Sequence, residues 1–228
     1  MLPPASATDC PIGARRATGT GGILCAVVAF TKPMLATSGR PSGPLDGWVV
    51  EPKADGWRAQ LAVGDDGCTV WTRTGRDTSA KVPEVAAIVE LGVECVFDGE
   101  LVAGAGLPVD FYPMAGLLAA RRRHPRLTFV AFDVLRLNGR SLLDYDLASR
   151  REVLDCLVRL SDGSLTAVHV FRGCELDEVL AGCEQLDMEG VVVKRRTSLY
   201  RPGRRTAEWR KVKCPAWRAD HAERRIKK

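Results

Sequence analysis

The sequence predicts a mixed α+β domain, because strand-like runs cluster as hairpins and are interspersed with amphipathic helices. Short apolar runs bounded by Asp-Gly and Asn-Gly pairs are typical of strands joined by tight turns. Apolar residues spaced three and four apart are typical of helices that bury one face. A doubly wound parallel sheet would need a helix between most strands, so the clustered strands argue against that class.

Strands dominate the predictions for the first half of the chain. Residues 48–52 and 57–63 flank the sequence Lys-Ala-Asp-Gly, which places Lys53 at the end of a strand. Residues 68–73 follow as an antiparallel strand after a second Asp-Gly pair. The other predicted elements in this half are a helix at 83–91, a strand at 94–102 and a short helix at 110–120.

The second half contains the clearest helices. Residues 127–135 form the most apolar predicted strand, and Asn138-Gly139 indicates a turn after it. Residues 147–160 form a predicted amphipathic helix with one apolar face: Val153, Leu154, Leu157 and Leu160. The remaining predicted elements are a strand at 165–171, a helix at 175–186, and strands at 190–195 and 209–213.

Composition indicates a soluble globular protein in a reducing compartment. The 228 residues are 46% hydrophobic and 27% charged, and the net charge of +5 permits a polyanionic partner. The eight cysteines form no C-x-x-C motif and there are three histidines, which disfavours a structural zinc site and favours reduced thiols. The apolar run at 23–30 is too short to cross a membrane.

Lys53 is the first candidate for chemistry. It belongs to the sequence K-x-D-G-x-R, in which a tight turn can present a lysine as a covalent nucleophile and neighbouring cations can favour its uncharged amine. Alone, this pattern is more common in ordinary surface turns. The catalytic interpretation depends on the charged clusters that follow.

Those clusters supply the groups that nucleotidyl transfer requires. Cations must hold the charge that develops as pyrophosphate leaves, and Lys194, Lys211 and Lys213 can supply them. A hard divalent ion prefers oxygen ligands, which Glu100 and Glu189 can offer. On a regular strand Glu189 and Lys194 would face opposite sides, and only a bend at Gly190 would bring them together.

Each of these residues also has an ordinary structural interpretation. Glu100 could end a solvated strand, and Lys211 and Lys213 could lie on an exposed edge strand. Phe132 could belong to the core, and the arginines at 121–123 could form a surface patch. The joint occurrence of all these features in this order favours the catalytic interpretation.

The motifs resemble the adenylation domain of ATP-dependent DNA ligases, in the lysine-nucleotidyltransferase superfamily that also contains RNA ligases and mRNA capping enzymes. The ligase module of bacterial end-joining ligases is the most similar, and the resemblance covers residues 32–214. The nucleophile motif corresponds to Lys53, Asp55, Gly56 and Arg58, preceded by Glu51 and followed by Arg73. Later motifs correspond to Asp98-Gly99-Glu100, to Phe132, to Glu189, Gly190, Val192 and Lys194, and to Trp209, Lys211 and Lys213.

The resemblance implies two antiparallel sheets flanked by helices, with a nucleotide cleft between them. It implies ATP and Mg²⁺ (or Mn²⁺) as cofactors, with Lys53, Lys211 and Lys213 as catalytic residues. Adenine would stack on Phe132 with its amino group near Glu51, and the metal would lie near Glu100 and Glu189. The nucleotide site would also include Arg58, Arg73 and Lys194, and the candidates for contact with DNA phosphates are Arg58, Arg73, Arg121, Arg122 and Arg123.

The expected organisation is a flexible leader at 1–30, an adenylation domain at 31–214 and a basic tail at 215–228, without an OB-fold domain. The expected activity is the sealing of nicks or ends in DNA repair, in the bacterial cytoplasm near the nucleoid. The expected partners are DNA and an OB-fold or end-joining protein, with no membrane. The alternatives are an RNA ligase or capping-type nucleotidyltransferase, and a non-catalytic nucleic-acid-binding remnant.

Overall fold

Two sheets make up most of the chain that the computed structural model describes, namely residues 29–64, 67–83, 85, 92–104, 127–161 and 163–217. The strands are β1 (Leu35–Ser38), β2 (Trp48–Pro52), β3 (Trp57–Gly64), β4 (Gly67–Thr72), β5 (Cys95–Ala103), β6 (Leu127–Leu137), β7 (Arg140–Ser141), β8 (Thr166–Ala167), β9 (Gly190–Arg195) and β10 (Arg205–Lys213). The helices are α1 (Leu147–Leu160) and α2 (Leu176–Gln185), with a 3-10 turn at Ser79–Lys81.

Several predictions fall outside the described residues. They include the helix at 110–120, nearly all of the helix at 83–91, and Arg121, Arg122 and Arg123. Most of the predicted leader and tail also lie outside them. At the described end of the leader, the ring of Phe30 packs edge-on against Trp71, with 6.3 Å between the ring centroids.

The two sheets confirm the predicted fold class, with one correction. The smaller sheet has the strand order β1-β10-β9-β2, and the larger has the order β4-β3-β5-β6-β7 with β8 beside β6. Neighbouring strands are antiparallel except for β1 with β10 and β6 with β8, which are parallel. Both sheets are therefore mixed, whereas the prediction was purely antiparallel. Of the strand predicted at 165–171, only β8 pairs regularly, and β1 was not predicted.

Alternation along the strands separates core residues from cleft residues. In β3, Ala59 and Leu61 belong to the core beneath the larger sheet, whereas Arg58 lines the space between the sheets. In β9, Val193 belongs to the core beneath the smaller sheet, whereas Lys194 lines the same space. The inner faces of both sheets therefore carry polar side chains toward one cleft.

The two helices cover the outer faces of the sheets. α1 begins at the N-cap Asp146, whose carboxylate accepts a hydrogen bond of 2.8 Å from the backbone N–H of Ser149. Its buried apolar residues are Leu147, Val153, Leu154, Cys156 and Leu157. Leu160, predicted on the same face, is 40% exposed because it lies at the end of the helix. α2 packs Leu176, Val179, Leu180 and Cys183 against the smaller sheet.

The Lys-Ala-Asp-Gly segment connects the two sheets and does not close a hairpin within one of them. It follows β2 of the smaller sheet and leads into β3 of the larger. A Cβ atom at Gly56 would lie 2.1 Å from the carbonyl oxygen of Leu101, so only glycine fits there. Gly190 has a φ of 146°, and a Cβ atom there would lie 2.1 Å from the carbonyl oxygen of Val212. Both motif glycines permit close strand packing around Lys53.

Among the described residues, Cys68, Cys95, Cys156, Cys174, Cys183 and Cys214 form no disulfide bond. None of the helices described here combines the length and the apolar character that crossing a bilayer would need.

A buried ion pair that the sequence analysis missed joins α1 to β6. Arg150 donates from Nε to Asp133 Oδ1 at 2.7 Å and from Nη2 to Asp133 Oδ2 at 2.9 Å, and neither side chain is exposed. Arg150 also donates to the carbonyl oxygens of Tyr145 and Ser198. Arg150 lies three and four residues before Val153 and Leu154, which places it on the apolar face of α1. This spacing was the feature of the sequence that could have predicted its burial.

We expect Arg150→Ala to lower the free energy of unfolding by about 3–5 kcal/mol, because it leaves the carboxylate of Asp133 buried without a partner. Urea denaturation measures this loss. Arg159→Ala, an exposed change on the same helix, should change the free energy by about 0.5 kcal/mol or less. Equal effects of the two substitutions would contradict the assignment.

Candidate active site

A cleft of about 260 Å³ lies between the two sheets and contains most of the predicted site residues. Its charged lining residues are Glu51, Lys53, Arg58, Arg73, Glu100, Lys194, Arg205 and Lys211. Its apolar lining residues include Val130, Phe132, Val168 and Trp209. Charged groups and aromatic faces in one cleft are suited to a ligand that has both phosphates and an aromatic ring.

Lys53 lies at the edge of the cleft in an ion pair with Glu189. Its Nζ is 2.5 Å from Glu189 Oε2, and Lys213 Nζ is 2.9 Å from the other oxygen, Oε1. Burial would raise the pKa of Glu189, but the charges of Lys53 and Lys213 outweigh it and lower that pKa below its usual value. One carboxylate therefore holds two lysines from opposite sides.

This arrangement adds a carboxylate to the surroundings that the sequence predicted for Lys53. The predicted cations Lys211 and Lys213 lie near Lys53, and the carboxylate of Glu189 lies between Lys53 and Lys213. The bend at Gly190 brings Glu189 to these two lysines and not to Lys194, whose partner is Glu51.

Lys211 provides a second cation on the cleft side of β10. Burial lowers the pKa of Lys211, and the charges of Lys213, Arg205 and Lys53 lower it further. Lys211 and Lys213 are two residues apart on one strand, so they share a face as predicted. Lys213 also lies 3.6 Å from the ring centroid of Trp217. The positive charge of the site is thus concentrated beside Lys53.

Glu51 and Lys194 form a buried pair at the aromatic part of the cleft. Lys194 Nζ is 2.6 Å from Glu51 Oε2 and lies 4.5 Å and 4.4 Å from the ring centroids of Phe132 and Trp209. Burial lowers the pKa of Lys194, although the charge of Glu51 opposes this effect. Glu51 Oε1 is buried and has no hydrogen-bond partner among the described residues. It is an acceptor with capacity for a further donor.

Arg58 lies inside the cleft in a network with Asp98 and Tyr200. Its guanidinium donates to both oxygens of Asp98, at 3.1 Å and 2.6 Å, and the hydroxyl of Tyr200 donates to Asp98 Oδ2 at 2.5 Å. Burial acts to lower the pKa of Arg58, but the adjacent Asp98 raises it, so Arg58 stays charged. The guanidinium carbon is 5.0 Å from the ring centroid of Phe132. This position suits the contact with a cleft ligand that the sequence predicted, and the contact with DNA stays a prediction.

The roles of Asp98 and Tyr200 in this network were not predicted. Asp98 is fully buried on the cleft face of β5. Tyr200 follows β9 and also accepts a hydrogen bond of 3.0 Å from the backbone N–H of Met34. Neither partner of Asp98 is near it in sequence, so no local pattern could have identified them.

The remaining predicted residues differ in their surroundings. Glu100 lines the cleft, and burial raises its pKa to about 7 against the opposing charges of Lys53 and Arg58. Arg73 is exposed after the end of β4 and also lines the cleft, so its contact with DNA stays a prediction. The contacts predicted for Arg121, Arg122 and Arg123 lie outside the described residues.

A carboxylate in the cleft could bind a divalent cation together with water and substrate phosphates. Among the described residues, no group of three or more His, Cys, Asp or Glu side chains lies close enough to hold a metal alone. Mg²⁺ commonly binds one or two carboxylates together with water and substrate phosphates. Glu100, in the cleft, fits such a set, whereas Glu189 is already neutralised by two lysines.

Comparison with known proteins identifies the family. The family model described as the ATP dependent DNA ligase domain matches residues 33–213. The chain belongs to this family. It is 36% identical over 184 residues to the multifunctional non-homologous end joining DNA repair protein LigD of Mycobacterium tuberculosis, covering 79% of this chain and 24% of LigD. It is 32% identical over 225 residues to the DNA ligase of Natronomonas pharaonis, covering 91% of this chain and 41% of that ligase.

Solved structures support the same assignment of the fold. Mycobacterial DNA ligase D complexed with ATP and MES superposes with a TM-score of 0.70 at 34% identity, covering 80% of this chain and 60% of that one. Chlorella virus DNA ligase-adenylate has a TM-score of 0.57 at 19% identity, which shows the fold alone. The chain spans less than two thirds of the length of the mycobacterial structure. The DNA ligase nucleotidyltransferase fold expected from the motifs is confirmed.

We expect the stability of the protein to depend on the ionisation of Glu100. The unfolded residue titrates at its ordinary pKa of 4.5 and the folded one at about 7, so the folded state binds more protons between these values. Stability contributed by Glu100 therefore falls as the pH rises through this window and stays lost above it. Glu100→Gln cannot ionise and should be more stable than wild type at about pH 8, with a smaller difference at about pH 5.

Urea unfolding of both proteins at the two pH values measures this effect, and Glu178→Gln, an exposed change on α2, is the matched control. A stability difference between Glu100→Gln and wild type that is the same at both pH values would rule out the raised pKa.

Proposed function

We propose that this chain is the catalytic core of an ATP-dependent DNA ligase and forms a covalent adenylate on Lys53. The observation that carries the proposal is the position of the Lys53 amine at the cleft edge, 2.5 Å from Glu189 and beside the cations Lys211 and Lys213. Membership of the ATP-dependent DNA ligase domain family supports ATP as the nucleotide.

In this proposal the aromatic part of the cleft binds the base of ATP. Adenine stacks on Phe132, which is only half-buried and lines the cleft with Val130 and Val168. Its amino group donates to Glu51, whose carboxylate retains acceptor capacity beside Lys194. Arg58, which stays charged beside Asp98, and Lys194, which is paired with Glu51, orient the ligand within the cleft. The mycobacterial ligase complexed with ATP supports this use of the cleft.

The same geometry orients the reaction at the α-phosphorus. Lys53 first loses one ammonium proton to solvent, and its uncharged amine attacks the α-phosphorus. A phosphorus–nitrogen bond forms, the bond between the α- and β-phosphates breaks, pyrophosphate leaves and the nitrogen releases a second proton to solvent. Attack requires the ion pair between Lys53 and Glu189 to open, after which Glu189 remains held by Lys213. Lys211 and Lys213 stabilise the negative charge on the α-phosphate during the transfer. Mg²⁺ or Mn²⁺ bound with Glu100, and with the oxygen of Glu189 that Lys53 releases, would neutralise phosphate charge.

The later steps place AMP on DNA. The adenylate on Lys53 passes AMP to a 5′-phosphate at a nick or end, and a 3′-hydroxyl displaces AMP and seals the strand. Arg73 at the cleft rim and the arginines at 121–123 would contact DNA phosphates, so binding should weaken as the salt concentration rises. The name of LigD supports an end-joining context, in which an OB-fold or end-joining protein acts with this chain in the bacterial cytoplasm.

We expect purified protein incubated with Mg²⁺ and α-labelled ATP to acquire an acid-labile label, and Lys53→Ala to acquire none. The physical reason is that Lys53 is the proposed site of the phosphorus–nitrogen bond. Lys81→Ala, a change at an exposed lysine in the 3-10 turn, is the control and should label like wild type. Full labelling of Lys53→Ala would refute the proposed nucleophile.

Sealing of a nick that already carries AMP on its 5′-phosphate tests the last step separately. Wild type and Lys53→Ala should both seal it, because this step does not use the Lys53 amine as nucleophile. A preference for RNA ends, or for GTP over ATP in the labelling reaction, would favour the RNA ligase or capping-type alternative. Absence of both labelling and sealing would favour the non-catalytic remnant.

A further inference from the structure

Two residues of opposite charge, Glu51 and Arg151, line the same small cavity behind the base site. Glu51 Oε1 and Arg151 Nη1 are both buried without a hydrogen-bond partner among the described residues. Both residues line a cavity of about 30 Å³ between β2 and α1. Glu51 also lines the main cleft, so this cavity and the base site share one carboxylate.

Two hydrogen bonds fix the guanidinium of Arg151 and so determine the direction of its remaining nitrogen, Nη1. Its Nε donates to Asp155 Oδ1 at 2.8 Å, and its Nη2 donates to the carbonyl oxygen of Val168 at 2.6 Å. The residue is only 8% exposed. A planar guanidinium held at two nitrogens leaves its third in a defined direction.

The cavity has the size and polarity to hold one water molecule. A buried water needs roughly 10–15 Å³ and two or more polar partners. Such a water can accept from Arg151 Nη1 and donate to Glu51 Oε1, which satisfies both groups at once. Arg151 is also close enough that its charge, after the larger effect of burial, helps to lower the pKa of Lys194 in the pair with Glu51.

We propose that Arg151 is a positioning residue that fixes the carboxylate of Glu51 through one bridging water and thereby sets the preference for a 6-aminopurine nucleotide. This inference rests on the proposed function, because it concerns the nucleotide that reacts with Lys53. Lys194 holds Oε2 of Glu51, and the water held by Arg151 fixes Oε1, so the carboxylate cannot rotate. A carboxylate has about four acceptor positions, which leaves room for the amino group of the base.

Discrimination follows from the fixed carboxylate. A 6-oxo group would direct an acceptor oxygen at the carboxylate, and a carboxylate that cannot turn away rejects it. Loss of Arg151 should therefore loosen recognition of the base and leave the groups around Lys53 in place.

The test compares ATP with inosine triphosphate, which carries an oxo group in place of the 6-amino group. Arg151→Met keeps the apolar stem and removes the donors. We expect it to lower the ratio of kcat/KM for ATP over inosine triphosphate in the labelling of Lys53 by about tenfold or more. The change should appear as a higher KM for ATP with a nearly unchanged kcat. Arg159→Met, an exposed change on the same helix, should keep the wild-type ratio.

A double-mutant cycle with Glu51→Gln separates positioning from general loosening of the fold. If Arg151 acts through Glu51, adding Arg151→Met to Glu51→Gln should not lower the ratio further. Thermal melting confirms that each variant folds, and Arg151→Lys, which keeps the charge, replaces Arg151→Met if the latter does not fold. It should show the same loss of discrimination, because one ammonium cannot make all the contacts of the guanidinium.

A folded Arg151 variant with the wild-type ratio would overturn this inference while leaving the proposed function intact. An additive effect of Arg151→Met and Glu51→Gln would also overturn it, since Arg151 would then act independently of Glu51. If wild type takes no label from ATP, the proposed function itself fails, which is a distinguishable result.

Discussion

The carboxylate of Glu189 determines the geometry of the site, because it holds two lysines that belong to different strands. Lys53 follows β2 and Lys213 ends β10, and both strands flank β9, which begins directly after Glu189. The backbone bends at Gly190, where a Cβ atom would lie 2.1 Å from the carbonyl oxygen of Val212, so only glycine fits there. This bend directs the carboxylate of Glu189 between the two lysines. The carboxylate thus keeps two ammonium groups from different strands close to one another.

Side chains alternate between the two faces of each strand, and this alternation explains how the rest of the cleft is assembled. One face of each strand packs on a helix-covered core, and the other face supplies the cleft: Glu51 from β2, Glu100 from β5, Phe132 from β6, Lys194 from β9 and Lys211 from β10. The segment that connects the sheets places Lys53 where both inner faces meet. Charge beside Lys53 and aromatic surface near Glu51 divide the cleft into a charged part and an aromatic part.

Local patterns in the sequence predicted much of this arrangement. The bounds of α1 and β9 agree with their predictions, and several predicted motif residues, among them Glu51, Glu100 and Lys211, line the cleft. Partners across the sheets could not be predicted, because they depend on register between distant strands. For this reason Glu189 was not matched to Lys53, and β1, which pairs with β10 from far away in sequence, was missed. Arg150 and Arg151 were overlooked because helical spacing can place an arginine on the buried face but does not identify its partner on another element.

We infer that the amine held by Glu189 is the atom that reacts with the nucleotide. Peptide mapping by tandem mass spectrometry, after incubation of the protein with ATP and Mg²⁺, locates any added AMP on a single residue. We expect the mass of one AMP on Lys53 and on no other lysine. AMP on Lys194, Lys211 or Lys213, with Lys53 unmodified, would contradict it.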